Sequence, residues 1–117
     1  MKNYTMTHVE KNRRTELHDT LNLTGAEISV NNLSAGSFVP FVHAHKKNEE
    51  IYFIIEGNGH VIIDDEKIEL TAGDWIRISP NGKRQFFASQ DSGISYVCIQ
   101  VRENSLEGYS RTDGIIY

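Results

Sequence analysis

From residue 26 onward, apolar and polar positions alternate with a period of two in short runs. AEISVNNL, SFVPFVHA, EEIYFIIE, HVIID, KIEL, DWIRIS, RQFFAS and ISYVCIQV each read as a strand. Successive side chains of a strand point to opposite faces, so this alternation marks half-buried β-structure. Turn residues separate the runs. Asp64-Asp65-Glu66 and Gly57-Asn58-Gly59 read as tight hairpins, and Gly73-Asp74 and Pro80-Asn81-Gly82 punctuate the next two strands. Before residue 26 the period differs. TELHDTLNL, residues 15–23, has Leu17 and Leu21 at i and i+4 behind a threonine N-cap, and is expected to form one short helix. Many short strands at near-regular spacing predict an all-β sandwich or barrel.

The run EEIYFIIE breaks the alternation. Residues 51–55 are apolar at every position, which asks for cover on both faces. One small barrel covers only one face, so a homodimer is expected, with a covering tail or helix as the alternative. The predicted organisation is an N-terminal arm over residues 1–24, a barrel over 25–102 and a polar tail over 103–117 that ends in Ile115, Ile116 and Tyr117. The aromatic residues Phe38, Phe41, Tyr52, Phe53, Trp75, Phe86, Phe87 and Tyr96 are expected mainly in the core.

Composition narrows the partners. A chain of 117 residues is about one domain, and 38% hydrophobic content is ordinary for a soluble globule. The net charge of -4 offers no basic face, which argues against nucleic acid. No apolar run is long enough to span a bilayer, and the first fifteen residues contain no apolar leader segment. A cytoplasmic location is the default expectation. The single cysteine, Cys98, excludes an intrachain disulfide and reads as a buried small hydrophobe.

The chemistry is concentrated in FVHAHKKNEEIYF. Residues i and i+2 of a strand share a face about 7 Å apart, so His43 and His45 point together. Residues 46–48 provide a turn that returns Glu50 beside them, with Glu49 as its substitute. Two imidazoles and one carboxylate on one face suit divalent Fe, Mn, Ni, Co or Zn with positions left open. By strand parity Phe41 and Tyr52 share the faces of His43 and Glu50, and are candidates for a pocket lining. His8, His18 and His60 are expected at the surface.

The spacing resembles the first motif of the cupins, G-x5-H-x-H-x(3-4)-E-x6-G. Here His43-x-His45 is followed by four residues, Glu50, six residues and Gly57, while Gly36 stands one residue further from His43 than usual. The second motif, G-x5-P-x-G-x2-H-x3-N, is degenerate. Gly73, six residues, Pro80-x-Gly82-x2 and Gln85 match it, but Gln85 replaces the histidine and Ser89 the asparagine. The resemblance implies a double-stranded β-helix, or jelly-roll barrel, here with a short N-terminal helix. It also implies a small polar ligand and a metal on His43, His45 and Glu50, with Gln85 at the place of the fourth ligand.

Arg84 adjoins Gln85, and the extra residue before Pro80 leaves open which of them points inward. An inward cation would oppose a metal by roughly 3 kcal/mol per unit of metal charge at 5 Å and an effective dielectric near 20. Inward Gln85 makes a metal centre with a weak fourth contact; inward Arg84 makes an anchor for a carboxylate or phosphate. Three functions follow from the resemblance. One is a metal-dependent isomerase or dioxygenase-like enzyme, with Glu49 or Tyr52 assisting as acid or base. The others are a non-catalytic sugar or small-acid binding module, and a structural or sensory dimer with a vestigial metal site.

Overall fold

The computed structural model describes residues 2–109 and 113–117; Met1 and residues 110–112 of the predicted tail lie outside the described residues. Seven strands and one helical turn follow in order: β1 (Arg14–Glu16), α1 (His18–Leu21), β2 (Glu27–Leu33), β3 (Asn48–Ile63), β4 (Glu66–Thr71), β5 (Trp75–Ile78), β6 (Arg84–Ala88) and β7 (Ile94–Arg102). All named strand pairings are antiparallel. No helix among the described residues is long and apolar enough to cross a membrane.

β3 organises the barrel. Its first half pairs with β7 on one side and β5 on the other; its second half pairs with β4 and β6. The expected hairpin at residues 57–59 is therefore corrected: EEIYFIIE and HVIID are one strand of 16 residues. A bulge between Ile54 and Glu56 bends it. Gly57 completes the bend at φ +84, and a Cβ there would fall 1.9 Å from the Gly93 carbonyl oxygen. A glycine before a strand break and a glycine inside a bent strand look alike in sequence. The other expected hairpin holds: Asp64 and Asp65, at φ 47 and 73, join β3 to β4.

Two further expectations are corrected. SFVPFVHA forms no strand and makes only isolated bridges, Phe38 to Phe87 and His43 to Arg84. The helix over residues 15–23 shrinks to the single turn α1, while Arg14–Glu16 joins the sheet against β2. Leu17, not Thr15, precedes that turn and its side chain makes no cap; the Glu27 carboxylate takes the His18 N–H instead.

The core lies between the two sheets. Ile54, Val61, Leu70, Ile78, Phe86 and Ile94 are buried together. Tyr52, Phe86 and Tyr96 stack within it. Phe38, Phe41 and Trp75 were expected in this core but are exposed. Parity assigns faces; it does not tell which face is covered. On the outer surface, register aligns Val30, Val97, Phe53 and Trp75 across four strands, with Ile28, Ile99 and Ile51 in the adjoining row. Ile115, Ile116 and Tyr117 are exposed.

Candidate metal centre

The backbone builds the site before any side chain does. The His43 N–H donates to the Arg84 carbonyl at 3.1 Å, and the Arg84 N–H donates back to His43 at 2.9 Å. Two residues on, the His45 carbonyl accepts from Asn81 N–H at 2.7 Å. The histidine segment is thus tied to the start of β6 and to the turn before it. Alternation along β3 then sends Glu50 and Tyr52 inward. Glu49 points to the other face, where its carboxylate meets Arg77.

His43 and His45 are half-buried and lie edge to face, with ring centroids 5.2 Å apart. The His45 Nε2 is 3.1 Å from Glu50 Oε2, and the His43 Nε2 is 3.9 Å from Glu50 Oε1. One candidate ligand atom from each of the three residues lies within 4.8 Å of the others. Ligand atoms about 2.1 Å from one ion and sharing a face stand about 3.0–3.4 Å apart, so closure draws the three groups together by up to roughly 1.5 Å.

Two further observations bear on the fit. His45 Nε2 is buried without a hydrogen-bond partner, because its approach to Glu50 is close but misaligned; His43 Nδ1 is also unpartnered. Burial holds His43 below its ordinary pKa, with Glu50 opposing and Arg84 assisting. It is therefore neutral at pH 7, the form that ligates metal. The donor set fits a divalent ion of the borderline class.

Glu50 is the junction of the site. Burial pushes its carboxyl up, but the Tyr52 hydrogen bond, His45, Cys98 and Arg84 outweigh this and hold it below the usual range. The Tyr52 hydroxyl and Arg84 Nη1, the latter at 2.6 Å, both donate to Oε1. Oε2 faces His45. Arg84 is fully buried and does not line the cavity. It cancels the charge of Glu50, so a metal here meets a weaker anion than a free carboxylate would offer. Burial drives the Tyr52 phenol far above its ordinary pKa, with Cys98 and Glu50 adding to the shift. Tyr52 is thereby a fixed hydrogen-bond donor. Burial likewise pushes the Cys98 thiol up to about 12, an inert state.

Gln85 projects to the face of β6 opposite Arg84, and its Nε2 donates to the Val39 carbonyl at 2.7 Å. Phe41, though exposed, meets the His43 ring edge at 5.8 Å. His8 and His18 are exposed; His60 is half-buried and stacks on Phe87 at 4.6 Å.

A cavity of about 480 Å³ opens beside this group. Leu33, Val39, Phe41 and Phe86 give it an apolar wall, and Ser29, Asn31 and Arg14 a polar one. The sequence reading missed the polar wall. The alternation of EISVNNL carried the signal for Ser29 and Asn31, since both fall on its inward parity; nothing local marked Arg14.

Comparison with known proteins bears on the whole chain. The cupin domain model matches residues 31–100. A cupin protein from Bacteroides fragilis is 60% identical, with 100% of this chain and 99% of that chain covered at a TM-score of 0.97. A predicted oxalate decarboxylase from Thermotoga maritima is 20% identical over 64% of each chain at a TM-score of 0.60, a likeness of fold. An uncharacterized protein of Methanocaldococcus jannaschii is 49% identical over 39 residues, 33% of this chain and 31% of that protein. This chain's match thus spans about a third of that curated relative.

Proposed function

For this chain, which belongs to the cupin family, we propose a small-molecule-binding barrel in which His43, His45 and Glu50 hold a divalent metal, one of Fe, Mn, Ni, Co or Zn. The observation that carries the reading is the convergence of these three ligand groups within 4.8 Å beside the cavity. When bound, such an ion supplies Lewis acidity or an oxygen-binding position, the chemistry of an isomerase or dioxygenase. Around it Tyr52 and Arg84 fix the Glu50 carboxylate in one orientation. Phe41 and the apolar wall exclude water from a small polar ligand. Arg84 enters as the partner of Glu50 and not as a ligand anchor, because it is buried behind the carboxylate. Gln85 is left out of the ligand set because alternation along β6 turns its side chain away from Glu50, to the cavity edge where its Nε2 donates to Val39.

Elemental analysis of purified, metal-replete protein tests this. Stoichiometric metal is expected in the wild type and its loss in both His43→Ala and His45→Ala. A wild type that retains no metal after dialysis ends the proposal. The aligned outer row of Val30, Val97, Phe53 and Trp75 supports a homodimer through this sheet face. Sedimentation of the wild type as a monomer at tens of micromolar would refute that part.

A further inference from the structure

We propose that the cavity takes a small acid with two carboxylates, one at the His43, His45 and Glu50 group and the other at Arg14 on the edge strand β1. The inference rests on the metal reading for the first carboxylate and on Arg14 alone for the second.

β1 is what brings this cation to the cavity. Its register sets Arg14 opposite Asn31, which faces the interior and is 5% exposed. The Arg14 Nη1 donates to Asn31 Oδ1 at 2.8 Å, and the Asn31 amide donates to Ser29 Oγ at 3.0 Å. Those bonds orient the guanidinium on the cavity wall and leave donors of the fork unused. Among the described residues Glu16 is the one acid in contact, 3.6 Å from Nη2, and both side chains are more than half exposed. A screened surface pair of this kind competes weakly. The charge of Arg14 reaches into the barrel: burial raises the Tyr96 phenol, and Arg14 is the group that opposes the rise.

The remaining charges favour an anion. Three acids line the cavity, Glu16, Glu27 and Glu50. Glu27 already accepts from the backbone N–H groups of His18 and Ile28 at 2.9 and 2.8 Å. Glu50 is neutralised by Arg84. A divalent ion beside Glu50 then leaves the interior net positive, facing Arg14 and Arg13. A planar fork matches a carboxylate with two parallel bonds. Between the two ends, Leu33, Val39 and Phe86 offer an apolar wall for a carbon chain, in a volume ordinary for a small ligand.

Calorimetry on the full, metal-loaded chain tests this with unbranched dicarboxylates from malonate to adipate. Their diamides, butyrate and inorganic phosphate serve as controls. One dicarboxylate is expected to bind at least tenfold tighter than its diamide and than butyrate. Arg14→Ala removes that preference, leaving butyrate affinity and metal content unchanged. Arg14→Lys, which keeps charge without the fork, falls between. Lys67→Ala, which removes a cation on β4 away from the cavity, stays within twofold of wild type. Equal dicarboxylate affinity in Arg14→Ala, equal binding of the diamide, tighter phosphate, or no acid bound by a fully metallated wild type each overturn the inference while leaving the metal reading intact. A wild type without metal that still binds butyrate through Arg14 overturns the metal reading instead, and with it the first end of the proposed ligand. Thermal unfolding of each variant separates lost binding from lost folding.

Discussion

The two halves of β3 share one backbone and face different environments. In the first half the inward side chains of Glu50 and Tyr52 belong to a polar network closed by Arg84 and His45. In the second half the inward positions are Gly59 and Val61, set among Ile94, Phe86 and Leu70. The bulge and Gly57 lie between the halves and re-aim the strand from one sheet to the other. Apolar packing tolerates rearrangement, because the hydrophobic effect has no direction. A buried polar network is held by geometry, and removing one member exposes the others to the full cost of burial. The halves should therefore fail differently when mutated.

The largest effect is expected in the polar half. Glu50 is 4% exposed and Arg84 0%. Glu50→Ala strands the guanidinium with only the Ser79 carbonyl at 3.3 Å. Breaking a buried pair from one side costs about 3–5 kcal/mol, whereas removing both charges is far milder. Denaturant unfolding should show a loss of that size for Glu50→Ala and recovery of most of it in Glu50→Ala with Arg84→Met. Bound metal should be lost in both. A Glu50→Ala protein within about 1 kcal/mol of wild type would contradict a buried ion pair of the size assigned.

Next comes the apolar side of the bend. Val61, in the second half, is fully buried, and truncation to alanine leaves a cavity costing about 2 kcal/mol. Here metal content per folded molecule should stay at the wild-type level. If Val61→Ala also sheds metal, the two halves are coupled through the bend and the contrast between them fails.

The outer face of the same strand gives a smaller effect on folding. Phe53 is half-buried and stacks on Trp75 with centroids 4.4 Å apart. Phe53→Asp is expected to lower monomer stability by about 1 kcal/mol. In sedimentation it should convert the proposed dimer to a monomer. A variant that remains dimeric places the interface elsewhere.

The contrast along β3 also explains what could be read in the sequence. His43, His45 and Glu50 were legible because one short segment carries them, and parity with one turn suffices to bring them together. Gly57 was legible as a tight place but not as a bend, since the 1.9 Å approach of Gly93 comes from a distant part of the chain. The choice between Arg84 and Gln85 was open because an inserted residue before Pro80 makes motif counting ambiguous. The backbone pair of His43 with Arg84 decides it by register. Arg14 was hidden because three residues are too few to show a period of two. Their neighbours Leu17 and Leu21 suggested a helix, and only pairing with β2 makes the strand. Trp75 and Phe38 read as core because large aromatics usually are; their exposure depends on which sheet face is covered.

The smallest effect belongs to Gln85, and it sharpens the contrast by opposing two neighbours in one strand. Arg84 points inward to Glu50, while Gln85 holds the Val39 carbonyl from the alternate face of β6. Gln85→Ala removes one half-buried hydrogen bond, worth about 1 kcal/mol. It should leave metal affinity unchanged, because no ligand is lost and Glu50 keeps both its donors. Gln85→His restores the residue type of the cupin second motif. If position 85 faced the metal, that change would tighten binding by an order of magnitude or more. The orientation of β6 predicts less than a twofold change, measured by competition with a chromogenic chelator. Tighter binding in Gln85→His would mean that β6 shifts register by one residue when metal is present, which would turn Arg84 away from Glu50.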